Sequence, residues 1–257
     1  MISSDFHTHT HFCDGKDSPE EMVLSAIEKG METLGFSMHS FAQFDLDVYS
    51  DPAALYEYKK EVARLKEKYK DKIKILCGIE QDIYSAPADK DFDYVIGSVH
   101  YVKIEGEYFP LDLSREVLLD AVEKGFGGDF YSFAEWYYDE EAKVVEKTGA
   151  DIIGHLDLIR KFNEDGGLFD EKHPRYVAAY TKAVKALVKS GKPFEINTGA
   201  ISRGYRSTPY PCEDILKCIY ENGGKVIMSS DSHNKGGLCF EFEKWADLAR
   251  QIGFDVK

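Results

Sequence analysis

Ile2-Ser3-Ser4-Asp5-Phe6-His7-Thr8-His9 runs from a short β-prone segment straight into two histidines. The same order returns along the chain. His39 follows Leu34–Met38, His100 follows Tyr94–Val99, and His155 follows Asp151–Gly154. Glu80 closes Lys74–Ile79, while Asp231 and His233 close Val226–Ser230. Six of the eight histidines therefore stand at or just after the end of an expected strand. With Pro193–Asn197 the strands number seven, and helical patterns separate them. Such alternation implies a parallel sheet with right-handed crossovers. A closed or nearly closed seven-stranded barrel is the expectation, with the ligand-type residues on the face where the strands end. An open doubly wound sheet is the alternative, but no G-x-G-x-x-G follows the first strand.

The helical runs carry their own punctuation. Ser18-Pro19-Glu20-Glu21 reads as an N-cap, a proline at the first helical position and a capping box, in a helix ending at Gly30. A second helix spans about residues 51–69, with a Lys/Glu-rich solvated face. Others cover about Ser114–Lys124, Asp129–Thr148, Pro174–Ser190, Cys212–Asn222 and Phe240–Ile252, with Gly191 and Gly223 where helix C-caps belong. The segment Glu105–Asp139 is the least regular and is a candidate substrate loop or lid. No repeat, low-complexity tract or linker divides residues 1–257, so a single domain is expected.

With 257 residues, 43% hydrophobic and 30% charged, the chain has an ordinary globular composition. Its formal net charge of −14 opposes non-specific binding to nucleic acid or anionic lipid. An anionic substrate must then be attracted locally, by a few cations. No apolar stretch approaches the roughly 20 residues of a membrane helix, and the N-terminal MISSDFHTHT lacks the regions of a signal peptide. Five scattered cysteines without C-x-x-C fit a reducing compartment. A cytoplasmic protein with neither nucleic-acid nor membrane partner is expected; its oligomeric state is not legible.

Imidazole and carboxylate at convergent strand ends are metal-ligand chemistry, suited to zinc, iron or manganese. His7 and His9 at i, i+2 leave one strand face together, and Asp231 and His233 repeat the spacing. His11, a third ligand from one strand, would be crowded and reads as a neighbouring or surface residue. His173, before Pro174, reads as a loop or N-cap residue.

In these residues the chain resembles the polymerase-and-histidinol-phosphatase (PHP) superfamily of metal-dependent phosphoesterases. The matching blocks are DFHTHT, the acid of FCDG, SMHS, GIEQD, IGSVHY, IGHLDLIRKF, EINTG and SSDSH. The resemblance implies a distorted (β/α)7 TIM-like barrel holding two to three divalent metal ions. It implies a first ion on His7, His9, Glu80 and Asp231, and a second sharing Glu80 with His100 and His155. A third would sit on Asp14, His39 and His233, although several members of the superfamily carry a histidine where this chain has Asp14. Within the superfamily the chain is more similar to the histidinol-phosphate phosphatases of histidine biosynthesis, on its length, HLDLIRKF and INTGAISRGYRSTPYP.

The implied reaction is hydrolysis of a small-molecule phosphate ester, L-histidinol phosphate. Two metals about 3.5–4 Å apart hold a bridging hydroxide as the nucleophile and neutralise the charge it must approach. Arg160, five residues past His155, is expected to fork onto phosphate oxygens, followed by Arg203 and then Lys161 or Arg206. Asp231 and His233 are the candidates for passing a proton to the leaving group, and Arg160 joins them as a catalytic cation. Tyr101, Asp82, Asp112 and Tyr205 are candidates for the amine and imidazole of histidinol. Other readings within the superfamily are a nucleotide or oligonucleotide 3′-end hydrolase and a protein-tyrosine phosphatase. A non-catalytic metal-binding module is the reading from a different class.

Overall fold

A computed structural model of the chain describes residues 2–45, 52–87 and 91–256. The strands are β1 (Ser4–Asp5), β2 (Thr33–His39), β3 (Lys74–Asp82), β4 (Tyr94–Ser98), β5 (Tyr101–Ile104), β6 (Glu107–Pro110), β7 (Ile152–Ile153), β8 (Phe194–Asn197) and β9 (Val226–Ser229). Seven of them form one parallel sheet in the order β1-β2-β3-β4-β7-β8-β9. Its ends meet: Thr8 bridges Ser232 in parallel, and His9 N–H donates to the Ser232 carbonyl at 2.8 Å. The sheet is thus a nearly closed barrel, as expected, in which β1 and β7 are only two residues long.

Side-chain alternation along β3 layers the interior. Leu76 packs with Tyr94, Ile96, Ile152, Phe6 and Ile227 in the barrel floor. Gly78 comes next, where an added Cβ would lie 2.2 Å from Tyr94 Cζ. Glu80 is the third, at the rim. The glycine leaves room for the Tyr94 ring, whose hydroxyl crosses to the carbonyls of Phe6 and Phe36. The outward residues Ile75 and Cys77 of β3 and Leu34, Phe36 and Met38 of β2 pack on α1 (Pro19–Glu28) and α2 (Pro52–Lys68) through Met22, Val23, Tyr58, Val62 and Leu65. A larger outer layer joins the remaining strands to α3 (Arg115–Phe126), α4 (Phe130–Glu141), α5 (Val144–Thr148), α6 (Pro174–Leu187), α8 (Glu213–Glu221) and α9 (Phe242–Ile252); α7 (Gly199–Ser202) is a single turn after β8.

The Ser18 capping box is present, and His173 caps α6 by accepting from Arg175 N–H. The expected start of α2 at Asp51 lies outside the described residues. The segment read as least regular opens in an antiparallel hairpin of β5 and β6 that was not expected; α3 follows where a helix was expected, and the helix expected over Asp129–Thr148 is divided between α4 and α5. The signal for it was Glu105-Gly106 between alternating apolar residues; both turn residues have positive φ, 51° and 96°, as a tight two-residue hairpin turn requires. No helix among the described residues is long and apolar enough to cross a membrane.

Candidate metal centre and phosphate cavity

Residues as far apart as His7 and His233 converge on the rim where the parallel strands end. Glu80 is at the centre and is buried. Its Oε2 lies 3.1 Å from His7 Nε2, 3.4 Å from His9 Nε2 and 3.1 Å from His39 Nδ1. Its Oε1 lies 3.1 Å from both His100 Nε2 and His155 Nε2, which are 3.2 Å from each other. One carboxylate thus splits its oxygens between two histidine sets.

Asp231 Oδ1 completes the first set, 3.7 Å from His7 Nε2 and 3.4 Å from His9 Nε2. Donors around a tetrahedral ion with bonds of about 2.1 Å stand about 3.4 Å apart, so these four atoms have the spacing of a coordination shell. His7 Nε2 and His9 Nε2 are buried and make no hydrogen bond. Such atoms are expensive unless a cation satisfies them. A third group gathers His9, Asp14, His39 and His233, with Asp14 Oδ2 3.0 Å from His233 Nε2 and Asp14 Oδ1 3.5 Å from His39 Nε2. The donor set fits divalent metal. Asp231 itself sits at φ 48°, a left-handed conformation that aspartate tolerates better than most residues.

The electrostatics agree with a cation-seeking pocket. Burial pushes Glu80 up, but His7, His100 and His39 outweigh it and hold the carboxyl well below its ordinary range. Asp231 is likewise held down against burial, by Arg203 and His7. Burial lowers His7, yet Glu195, Glu80 and Asp231 more than reverse it. His9 goes the other way, to about 3, through burial and its neighbours His233 and His39. His100 is lifted against burial to about 10 by Glu80 and Asp82.

The centre opens into a cavity of about 290 Å³ lined also by Asp45, Tyr101, Asp112, Lys161, Arg203 and Tyr205. Arg203 donates to Asp231 Oδ2 at 3.0 Å and to the Asp231 carbonyl at 2.6 Å, and Lys161 Nζ lies 3.1 Å from Asp112 Oδ2. Two of the four expected phosphate cations are therefore on the cavity wall. The other two are not. Arg160 is buried and spends its guanidinium on Asp157 and Glu171, both at 2.8 Å. Arg206 donates to the Arg160 carbonyl at 2.9 Å and pairs with Glu164 at 3.1 Å. Two carboxylates next to the Arg160 turn took the fork that sequence spacing assigned to phosphate. Asp82 is also displaced from its expected place: it stands behind His100, accepting the His100 N–H at 2.8 Å. His11 is exposed, against Phe12, away from the centre. Glu195, hydrogen-bonded to His7, is the residue that sequence reasoning missed.

A PHP domain model matches residues 5–199, most of the chain. The chain belongs to the PHP domain family. Among its relatives, a Schizosaccharomyces pombe protein named "Probable histidinol-phosphatase" is 28% identical over 95% of this chain and 84% of its own length. The histidinol-phosphatase of Lactococcus lactis is 28% identical over 99% of this chain and 93% of its own. A crystal structure of the L. lactis histidinol phosphate phosphatase, complexed with zinc, L-histidinol and phosphate, superimposes with a TM-score of 0.71 at 24% identity, covering 99% and 95% of the two chains. That likeness makes the distorted PHP barrel the fold of this chain too.

Proposed function

We propose that this PHP protein hydrolyses L-histidinol phosphate to L-histidinol and phosphate, as the names of its relatives indicate for them. The observation that carries a two-ion phosphoesterase reading is the division of the Glu80 oxygens between the His7/His9 and His100/His155 sets. We assign a first ion to His7, His9, Glu80 and Asp231, a second to Glu80, His100 and His155, and a third to Asp14, His39 and His233. Zinc, manganese or iron suits these donors. Bound there, such ions supply Lewis acidity and an activated water to a phosphate dianion that would otherwise repel its nucleophile.

The chain's own side chains supply the rest. Lys161 and Arg203 bring positive charge to the cavity wall, where phosphate oxygens must settle in a protein of net charge −14. Asp45 and Asp112, with Tyr101 and Tyr205, line the same small space. A substrate with an anionic end and a cationic, planar end matches a lining that offers cations, carboxylates and aromatic rings together. We assign relay of a proton, released by the activated water, to the leaving oxygen to the Asp231–His233 pair, whose side chains approach to 3.6 Å. We place this reaction in histidine biosynthesis, which goes with a cytoplasmic location.

The test is a panel of phosphate esters on metal-quantified protein: histidinol phosphate, a tyrosine phosphopeptide and a nucleoside 3′-phosphate. Preferred turnover of histidinol phosphate, abolished by chelation and restored by zinc or manganese, is expected. Equal rates across the panel would reject the assigned substrate. Absence of turnover in metal-replete protein would reject the enzyme reading.

A further inference from the structure

Nine side chains are assigned to metal above, and Glu195 on β8 is not among them. Its carboxylate is fully buried, as are His7 and Asn197. Glu195 Oε2 lies 2.8 Å from His7 Nδ1, and Glu195 Oε1 accepts from Asn197 Nδ2 at 2.9 Å. Asn197 Oδ1 in turn accepts the Gly199 N–H at 2.8 Å.

These contacts have a fixed polarity. A backbone N–H can only donate, so Asn197 must present its oxygen to Gly199 and its amide hydrogens to Glu195. Oε1 is then an acceptor; as a carboxylate Glu195 accepts through Oε2 as well, so the partner of Oε2 is a donor, His7 Nδ1–H. With the proton on Nδ1, the lone pair of Nε2 points between Glu80 Oε2 and Asp231 Oδ1, at 3.1 and 3.7 Å. We infer that Glu195 is a positioning residue that locks His7 as the Nδ1–H tautomer and so aims Nε2 at the first metal. A carboxylate behind a ligating imidazole fixes its ring and raises its basicity, and losing such a partner typically costs about 10–100-fold in metal affinity. The inference rests on the metal assignment proposed above.

Glutamine at 195 cannot do this work. It offers one oxygen to two donors, His7 and Asn197, so its amide must face one of them. An aspartate at 197 removes the conflict: it still accepts from Gly199, and now accepts from the glutamine amide, freeing the glutamine oxygen for His7.

The experiment compares the parent, Glu195→Gln, Asn197→Asp and the double variant. Zinc affinity is measured by competition with a chromophoric chelator, and thermal midpoints are recorded on the metal-free proteins. Each single variant is expected to weaken one zinc equivalent by about 10–100-fold, and the double variant to recover most of that loss. A Glu195→Gln protein that binds zinc like the parent, or a double variant at or below the sum of the singles, overturns the inference. ¹⁵N spectra of the imidazoles in the zinc-loaded parent test it without any variant: His7 should carry its proton on Nδ1 and its metal on Nε2, and the reverse would overturn it. A parent that binds no zinc would overturn the metal assignment itself, a failure visible in the first measurement.

Discussion

Arg160 Nη1 donates to Asp157 Oδ2 at 2.8 Å, and both side chains are buried. The same oxygen accepts the Cys212 N–H at 2.9 Å, while Arg160 Nε reaches Glu171. The guanidinium therefore ties the turn after β7 to the segment before α6, and Asp157 ties that turn to the start of α8. Removing one partner of a buried pair leaves an uncompensated charge, at a cost of about 3–5 kcal/mol. Arg160→Ala should lower the urea midpoint and thermal midpoint by that order, and Arg160→Lys should recover part of it, because an ammonium cannot fork between two carboxylates. Unchanged stability with lost turnover would return Arg160 to the substrate.

Arg203 and Lys161 are the cations on the cavity wall, and they should behave differently. Removing one donor that meets developing oxyanion charge costs roughly 10²–10³-fold in rate. Arg203→Ala and Lys161→Ala should each lower kcat/KM for histidinol phosphate on about that scale. Arg206→Ala, whose side chain pairs with Glu164 and the Arg160 carbonyl, should change stability more than rate. Steady-state kinetics on the three variants at equal metal content decide it: an Arg206→Ala defect as large as that of Arg203→Ala would contradict the cavity assignment.

The convergence of the candidate ligands on one rim was legible because two periodicities point the same way. A histidine or carboxylate at a strand end in a parallel barrel has few places to go except the shared rim, and i, i+2 spacing sends His7 and His9 to one point. Direction is harder to read inside a turn. Nothing in the local sequence Leu158-Ile159-Arg160-Lys161 says that Lys161 turns toward the cavity and Arg160 toward Asp157, since that depends on Glu171 and Arg206 arriving from other segments. The β5–β6 hairpin was hidden for another reason: it belongs to no β-α repeat, and only its Glu105-Gly106 turn gives it away.

Gly78 and Tyr94 should prove a matched pair. The Cβ of an alanine at 78 would lie 2.2–2.6 Å from three ring carbons of Tyr94, and the ring is held by hydroxyl bonds to Phe6 and Phe36. Gly78→Ala should destabilise the protein by about 1–3 kcal/mol, the usual range for overpacking. Because Glu80 is two residues along the same interior face, it should also loosen the metal centre. Tyr94→Leu in the Gly78→Ala background should recover packing but not the hydroxyl bonds. Chemical denaturation of the two variants checks this, and a fully stable Gly78→Ala protein would mean the ring is free to move.

Glu141 gives the barrel a pH dependence of its own. It is buried, takes a 2.7 Å hydrogen bond from the Tyr137 hydroxyl through Oε1, and leaves Oε2 without a partner among the described residues. Burial raises its pKa; the Tyr137 hydroxyl and His100 pull it back, Asp82 and Asp157 push it further, and it ends well above the ordinary glutamate range. The folded chain thus keeps a proton that the unfolded chain has released. Below the unfolded value, about 4.3, both states are protonated and nothing is lost. As pH rises above it the unfolded state binds fewer protons, so stability falls until the folded carboxyl also ionises. Glu141→Gln keeps an acceptor for Tyr137 and removes the titration. The variant and the parent should have nearly equal midpoints at pH 4, and the variant should be the more stable by pH 7, with the gap widening in between. Midpoints that differ by the same amount at both pH values would show that Glu141 is already ionised in the folded protein.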